Sequence, residues 1–441
     1  MAGAALLLTA CAGAEPEVMI PPVEVPPVYA TGLPPSGIDR EWWLGYNDPV
    51  LDTLIRQGLA ANLDVDAAAD RLGSAAALLR AEKSDFVPSI SGTTEVGASL
   101  SNDGAVTATA GLFGLFNPDI NGRLAAEERA AAANYAEAEY LLADQRRLVA
   151  AAVASQYIEF RRTGAQIKLL EQSTDLQEQT LRIVTLRFEA GLAANLDVRR
   201  AAADLAQTQA RRGLIEIARN EAQNALAILL AEPPGAFSVP SRNDARIPDY
   251  GLGPPAGIPA DLLRRRTDML AAEAQLAQAA ANIGIERADL QPSLTIPGTL
   301  DIGDGTLGGL FGDFLIGIGA ALDLPLFDGG RRRAEVAAAE SEAQARLAEY
   351  NGAFLNALGE VENALVAIEA YRQRSDALSE AIEESETALS QSNALYREGL
   401  ASLFDVLDAQ RQLIASRQSL IDSEADLANS YTAFHAGIGS D

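Results

Sequence analysis

The stretch YREGLASLFDVLD, residues 396–408, decides how this chain folds. Gly399 marks the end of a helix, because glycine readily takes the left-handed conformation in which many helices terminate. Apolar residues recur every seven positions on both sides of this glycine, as they do in coiled coils. They are Ile382, Leu389 and Tyr396 before it, and Leu407, Ile414 and Ile421 after it. The stretch therefore predicts a tight turn between two long antiparallel helices.

The same turn occurs a second time in the chain. FEAGLAANLDV, residues 188–198, aligns without a gap with YREGLASLFDV, residues 396–406, so that Gly191 matches Gly399 and Asp197 matches Asp405. Two further pairs align at nearly the same spacing, EKSDFVPSI (82–90) with ERADLQPSL (286–294) and Gly122-Arg123 with Gly330-Arg331. The chain therefore contains an internal two-fold repeat.

The composition favours a mainly α-helical protein. Of the 441 residues, 48% are hydrophobic but only 5% are aromatic, and alanine supplies much of the apolar fraction. This is typical of long, closely packed helices. The net charge of −27 argues against nucleic acid as a partner and against electrostatic binding to anionic lipid headgroups.

Two segments, residues 88–116 and 292–326, switch to a period of two, which is typical of β-hairpins. Asn102-Asp103-Gly104 is the turn signal of the first hairpin. Each strand runs for roughly 10–12 residues, the length of a tilted transmembrane strand. A soluble sandwich with one wetted face is the alternative, but two hairpins flanked by very long helices favour the membrane. The apolar rows are Ile90, Thr94, Val96, Ala98 and Leu100; Val106, Ala108, Ala110 and Leu112; Leu294, Ile296, Leu300 and Ile302; and Phe314, Ile316, Ile318, Ala320, Leu322 and Leu324.

Helix signals divide the remainder of the chain. Asp48-Pro49 opens a helix that continues to about Asp85, with Asp as the N-cap and Pro at the first helical position. Proline-free stretches predict long helices from about Leu124 and Arg332, each ending at its glycine turn and returning beyond it. The predicted divisions are repeat 1 at 48–235 with its turn at 191–197, a Pro/Gly-rich linker at 236–259, and repeat 2 at 260–441 with its turn at 399–408.

The N-terminus carries a candidate lipidation signal. A short apolar run ends in Leu8-Thr9-Ala10-Cys11, which resembles a bacterial lipobox. We therefore predict that residues 1–10 are the remainder of a signal peptide and that Cys11 is lipidated, the alternative being an ordinary signal peptide with an incidental cysteine. Residues 11–47 form a Pro-rich N-terminal arm. We expect Trp42 and Trp43 to anchor this arm on the neighbouring surface rather than to form a binding platform.

The order of helix, strand, turn, strand, long helix, turn and returning helix, given twice, resembles the TolC family of outer-membrane efflux channels over essentially the full length. The most specific motifs are the doubled G-L-A-x-x-x-D-V of the turns and Asp405-Val406-Leu407-Asp408. The lipobox, the arm and the Trp-Trp and Asp-Pro pairs resemble the lipoprotein branch that serves resistance-nodulation-division (RND) pumps. The resemblance implies a homotrimer in which each chain gives four strands to a twelve-stranded barrel and its helical hairpins to an α-barrel. Four strands cannot close a barrel, and open edges cannot lie in hydrocarbon, which independently requires several chains.

The function that the resemblance implies is that of an outer-membrane channel in a tripartite efflux pump. Such a chain is a passive exit duct for small molecules, which it receives from an inner-membrane RND transporter through a periplasmic adaptor protein. Outer-membrane lipid surrounds its barrel and its helices lie in the periplasm. The alternatives are the duct of a type I protein secretion system and, in a different class, a periplasmic coiled-coil scaffold. A scaffold needs no apolar hairpins of membrane length, which favours the channel.

The resemblance also assigns residues to a periplasmic gate. Asp405 and Asp408 match two aspartates that ring the constriction. Tyr396 matches a tyrosine that helps to hold the turn closed, and Asp197 matches an aspartate of the same bonding network. At Ala401 some members carry an arginine, so one ionic latch is absent here. A solvated helix face is the ordinary alternative for such acids.

We expect the two turns to contact the adaptor. Small apolar residues at the ends of long hairpins suit tip-to-tip packing of helices. These residues are Gly191, Leu192, Ala193, Gly399, Leu400 and Ala401.

The sequence carries no motif for catalysis, a cofactor or a metal. His435 is the only histidine, and we expect it at a helix end or on the surface. Met1, Met19 and Met269 form no cluster. We therefore predict that the protein is not an enzyme.

Overall fold

The computed structural model describes residues 41–99, 105–240, 246–251, 263–302 and 314–439. Cys11, the arm up to residue 40 and the turn at 102–104 lie outside these ranges. The described chain is mainly helical, as predicted, with one antiparallel sheet. After a 3₁₀ helix, Trp42–Tyr46, the elements are α1 Pro49–Ala61, α2 Leu63–Ser84, β1 Ser89–Ser99, β2 Ala105–Phe116, α3 Arg123–Glu189, α4 Asn195–Ala210, α5 Arg212–Leu229, α6 Thr267–Ala288, β3 Ser293–Ile302, β4 Phe314–Ile318, β5 Ala321–Asp323, α7 Arg331–Glu398 and α8 Leu403–Gly437.

Two helices that the sequence indicated as continuous are interrupted. The first breaks at Asn62, whose side-chain oxygen accepts hydrogen bonds from the backbone N–H groups of Asp64 (2.9 Å) and Val65 (3.2 Å). Asn62 thereby caps α2. The returning helix of repeat 1 breaks at Arg211, whose backbone N–H donates to the carbonyl of Thr208, three residues back. This tighter bond ends α4 before α5 begins.

The chain forms two compact units, and both repeats contribute to each of them. One unit includes Ala69–Leu141 and Asp268–Ala353 and contains the sheet. The other includes residues 41–68, Leu142–Thr267 and residues 354–439, and it contains both glycine turns. The candidate gate and the candidate membrane surface therefore belong to different units.

The sheet pairs its strands in the order β1-β2-β3-β4, and β5 also pairs with β3. The register sets Leu112 opposite Gly92 on one side and Leu300 on the other, and Leu300 opposite Ile316. Because side chains alternate along a strand, this register collects the predicted apolar rows on one face. That face includes Ile90, Val96, Leu112, Ile296, Leu300, Ile302, Phe314, Ile316 and Ile318. The opposite face includes Ser91, Thr93, Glu95, Thr109, Thr299 and Asp301, together with the apolar Phe113, Leu115 and Leu315.

The last predicted strand is divided at Gly319 and Ala320, where we expected one continuous apolar row. The backbone N–H of Gly319 donates to the carbonyl of Pro297 at 2.9 Å. Pro297 has no N–H with which to return that bond. The pairing is therefore lost locally, and β4 and β5 are two segments that pair with the same strand.

The second unit buries its aromatic residues against the end of α8. Trp42 and Trp43 are both buried, and the Trp42 ring stacks on His435 with 5.4 Å between ring centroids. The Tyr46 hydroxyl donates to the carbonyl of Ala428 at 2.7 Å. These contacts fix the 3₁₀ helix to α8, which fits an anchoring role for the tryptophans. His435 lies in the last turn of α8, so the expected helix end is confirmed, but it is not on the surface, because aromatic rings cover it.

Candidate gate at the two turns

Both glycine turns have the same backbone geometry, which follows from their sequence. Gly191 and Gly399 have φ angles of 74° and 77°, in the left-handed region that favours glycine. The backbone N–H of Leu192 donates to the carbonyl of Arg187 at 2.7 Å, and that of Leu400 donates to the carbonyl of Leu395 at 2.8 Å. This six-to-one bond is the Schellman motif, which ends a helix while satisfying its last carbonyls.

Helices α3, α4, α7 and α8 pack together beneath the turns. The buried residues of this cluster come from both repeats, so the two hairpins share one core. Gln410 lies in the buried face of α8 and donates to the hydroxyl of Thr180 at 2.7 Å. The buried stripe accordingly passes through Leu413, whereas the predicted Ile414 and Ile421 are only half-buried. The cluster consists of Val184, Ala201, Leu389, Tyr396, Leu403, Val406, Leu407 and Leu413.

Tyr396 lies in this cluster, and the guanidinium of Arg187 lies over its ring. The sequence analysis did not predict this contact. The guanidinium carbon of Arg187 is 4.8 Å from the centroid of the Tyr396 ring, a cation–π geometry. Arg187 also donates to the carbonyl of Arg397 at 3.2 Å, so it joins the end of α3 to the end of α7. The Tyr396 hydroxyl is buried and has no hydrogen-bond partner among the described residues. The ring, rather than the hydroxyl, makes the contact that joins the two hairpins.

Asp197 lies close enough to Tyr396 to influence its ionisation. Burial raises the pKa of Tyr396, the Arg187 cation acts in the opposite direction, and the Asp197 carboxylate raises this pKa further. Asp197 is half-buried in the first turn of α4. The structure therefore brings together two of the four predicted gate residues, with Arg187 as an added member.

Asp405 and Asp408 lie on the exposed surface of α8, three residues apart and hence one helical turn from each other. The Asp405 carboxylate accepts hydrogen bonds from the backbone N–H (2.8 Å) and the hydroxyl (2.7 Å) of Ser402. Ser402 in turn caps the N–H of Asp405, which makes a capping box. The hydrogen bonds from Ser402 lower the pKa of Asp405. These hydrogen bonds favour the ionised carboxylate and fix it to the start of its own helix.

The surface of both turns is apolar. Leu192 and Leu400 are 68% and 76% exposed, and Leu196 and Phe404, which align with each other in the two repeats, are exposed as well. The sequence analysis identified Leu192 and Leu400 but missed Leu196 and Phe404. The alignment of Leu196 with Phe404 in the two repeats could have indicated this second pair. Gly191 and Gly399 are exposed, whereas Ala193 and Ala401 are half-buried.

An ion pair links the returning helices of the two repeats. Arg411 on α8 lies 3.2 Å from the carboxylate of Asp204 on α4. Together with Arg187 it supplies positive charge near the turns, where Ala401 cannot. Pairs of this exposure contribute about 0.2–1 kcal/mol, so the apolar cluster is the main support of the tip.

Comparisons with known proteins match this architecture. The model of the outer membrane efflux protein family matches residues 54–232 and 258–440. Nodulation protein T of Rhizobium leguminosarum bv. trifolii is 29% identical over 99% of this chain and 95% of its own length. The pyoverdine export outer membrane protein OpmQ of Pseudomonas aeruginosa is 29% identical over 95% of this chain and 91% of its own. A solved structure of the outer-membrane channel OprN superimposes with a TM-score of 0.86 at 27% identity, covering 97% of this chain and 99% of that one.

The chain therefore belongs to the outer membrane efflux protein family. It is an outer-membrane efflux channel of the kind that serves tripartite pumps, with its helical part in the periplasm. The predicted family, the function as an outer-membrane efflux channel and the outer-membrane location with periplasmic helices are confirmed, whereas lipidation and the RND transporter stay predictions.

The described residues add two negative findings. No group of three or more His, Cys, Asp and Glu side chains within them is placed to hold a metal ion. None of the helices in the same ranges is long and apolar enough to cross a membrane.

Proposed function

We propose that three copies of this chain form one exit duct with a twelve-stranded transmembrane barrel. Each copy contributes four strands, where β4 and β5 count as one because both pair with β3. The observation that carries this proposal is the apolar face of the sheet. Ile318, at the end of β4 and opposite Gly298 near the middle of β3, is 83% exposed, and Ile90, Val96, Phe314 and Ile316 are exposed on the same face. Contiguous exposed apolar surface of this kind needs a partner, and a lipid bilayer fits a face that alternates with a polar one.

The edges of the sheet require further copies. β1 and β4 stand at the two ends of the strand order, so no described strand pairs with their outer edges. In hydrocarbon each such group costs several kcal/mol, and only a closed barrel removes the edge. Three copies with four strands each give an even number of strands, which transmembrane barrels commonly have.

The pump partners follow from the exposed turns. We infer that the turns dock on a periplasmic adaptor protein through Gly191, Leu192 and Ala193 and through Gly399, Leu400 and Ala401, with Leu196 and Phe404 widening the apolar surface. An inner-membrane RND transporter then feeds the duct. A relative named for pyoverdine export supports a small molecule as cargo. Lipidation of Cys11 adds a second anchor to that of the barrel.

The gate residues lie in the same unit as the two turns and next to them in sequence. Asp408 and Asp405 of three copies would form two stacked rings of carboxylates, which favour cations at the entrance. Tyr396, Arg187 and Asp197 hold the two hairpins of one copy together. Closure then rests on apolar packing and on the cation over the tyrosine ring, whereas the acids set ion preference.

Disulfide trapping between edge strands tests the trimer. In a Cys11→Ser background, cysteine is placed at Thr93 on β1 and at Leu315 or Gly317 on β4, all on the polar face. If β1 of one copy pairs with β4 of the next, oxidation yields a covalent trimer on a non-reducing denaturing gel. Only monomers from both combinations would contradict the closed trimer.

The matched control uses two strands that pair inside one chain. Phe113 on β2 faces Thr299 on β3. A cysteine pair at these positions can close within each copy. It should therefore leave the protein monomeric on the same gel.

A further inference from the structure

The junction between β5 and α7 carries a surface that the channel function does not explain. We call residues 325–333, PLFDGGRRR, the rim segment. Leu326 is 90% and Phe327 is 94% exposed, more than any other large apolar side chain in the described ranges. Three consecutive arginines end the segment, in a chain whose net charge is −27. Exposed apolar residues beside clustered arginines are typical of protein surfaces that bind anionic membranes.

We propose that the rim segment docks on the anionic phospholipid surface of the periplasmic leaflet. Leu326 and Phe327 enter the boundary between headgroups and acyl chains, and Arg332 and Arg333 contact the lipid phosphates. The inference rests on the proposed barrel, because only a membrane-embedded sheet brings this segment to a lipid surface.

The apolar face of the sheet continues into the rim segment. Leu322 and Leu324 are exposed and precede Leu326 at alternate positions, and Leu322 pairs opposite Leu294 on the face that contains Ile318. The strands β1, β2, β3 and β5 all join helices at this end of the sheet. The segment therefore lies where the apolar face ends on the helical side, at the depth where a bilayer changes from hydrocarbon to headgroups.

The positive charge of the segment is only partly neutralised by the chain. Arg331 pairs with Glu335 at 3.3 Å. The Asp328 carboxylate accepts hydrogen bonds from the backbone N–H groups of Gly330 and Arg332, which hold it at the start of α7. Arg333 makes no ion pair with any described residue. Arg332 makes no ion pair with a described residue either, although its charge helps to lower the pKa of Asp328. Arg333, and Arg332 in part, therefore remain available to an external anion.

Repeat 1 shows that the junction does not need these residues in order to fold. Because Gly122-Arg123 aligns with Gly330-Arg331, repeat 1 has Pro118-Asp119 where the rim segment has Leu326-Phe327. It has Leu124-Ala125 where the rim segment has Arg332-Arg333. The same strand-to-helix connection is thus built without an exposed apolar pair and without clustered arginines, so the residues of repeat 2 serve an additional contact.

Fluorescence quenching in the reconstituted full-length protein tests the apolar part. Phe327→Trp is placed in vesicles whose acyl chains carry bromine near the headgroup, and the signal of the parent protein, from Trp42 and Trp43, is subtracted. We expect a blue-shifted emission and quenching by shallow bromine. Ile318→Trp is the reference, because Ile318 pairs opposite Gly298 near the middle of β3, and it should be quenched by deep bromine.

The two variants separate failure of this inference from failure of the barrel. Quenching of Ile318→Trp without quenching of Phe327→Trp would overturn docking of the rim segment and leave the barrel intact. Absence of quenching in both would refute the barrel, and the inference with it.

A charge series tests the phosphate contacts. In the Phe327→Trp background, brominated phosphatidylglycerol is titrated into phosphatidylcholine vesicles. Replacing Arg332 and Arg333 by Gln should weaken the apparent affinity about fivefold for each arginine. Arg346→Gln is the control, since Arg346 is held by Glu342 and Glu349 on its own helix.

Two outcomes of the charge series would overturn lipid recognition by the arginines. One is an unchanged preference for phosphatidylglycerol in the double variant. The other is loss of that preference on adding inorganic phosphate at constant ionic strength, which would assign Arg332 and Arg333 to a free anion.

Discussion

Replacing Ile318 by arginine tests which face of the sheet meets lipid. Ile318 is 83% exposed in the single chain, so the substitution removes little packing within the chain. On a water-facing surface such a change alters the free energy of unfolding by no more than about 0.5 kcal/mol. Ile318 pairs opposite Gly298 near the middle of β3, and at the mid-depth of a lipid-facing surface the substitution costs about 2–4 kcal/mol. Since 1.4 kcal/mol is a factor of ten, the ratio of folded to unfolded chains falls about 30- to 700-fold.

The measurement is urea-induced unfolding of the reconstituted protein, followed by the loss of the heat-modifiable trimer on a gel. Thr299→Arg is the matched control, because Thr299 lies in the same sheet on the opposite face, between Phe113 and Gly317. We expect it to be far milder, since a lumen-facing arginine stays in water. Equal destabilisation by the two substitutions would refute the assignment of faces.

Four further predictions concern the anchor and the gate. Mass spectrometry should find Cys11 at a cleaved, acylated N-terminus; an unmodified Cys11 would contradict lipidation. Arg187→Met should raise conductance in planar bilayers, because it removes the cation over the tyrosine ring; unchanged conductance would exclude Arg187 from the gate. Cysteine at Leu400 should crosslink to the adaptor, and crosslinks found only from mid-helix positions would indicate side-on wrapping instead. Ser402→Ala should raise the pKa of Asp405 toward its ordinary value. The stability linked to this carboxylate is present above its unfolded pKa of about 3.9 and is lost as pH falls through the folded pKa. Because the variant narrows the gap between the folded and the unfolded pKa, it should lose less stability on acidification than the parent protein, as thermal unfolding across acidic pH would show.

Local physics explains why the turns were predictable from the sequence. A glycine that follows a heptad pattern strongly predicts the end of a helix, and Gly191 and Gly399 both have the left-handed φ of such an end. Because the two glycines align, the sequence contains the evidence for the turn twice. The strand faces were predictable for the same reason, since alternation fixes which residues share a side. The break at Pro297 could have been predicted from its missing N–H, but only once its partner Gly319 was known.

Long-range contacts were beyond the sequence argument. Arg187 lies four residues before Gly191 and resembles any surface arginine until α7 brings the Tyr396 ring beneath it. Gln410 reads as a polar residue on an exposed face, yet Thr180 on another helix supplies its buried hydrogen bond. Both contacts join positions more than two hundred residues apart. A pattern with a short period carries no information about such pairs.

The two repeats diverge at one position that changes the role of an aligned aspartate. Asp197 and Asp405 both occupy the first turn of a returning helix. Ser402 precedes Asp405 by three residues and holds its carboxylate in a capping box, whereas Ala194 occupies the matching position before Asp197 and has no side chain with which to do so. Asp197 is therefore able to act on the neighbouring Tyr396, and Asp405 is committed to its own helix. A duplicated turn can thus supply one acid to the core of the tip and the other to its surface, because the identity of a single N-cap residue decides where the charge is held.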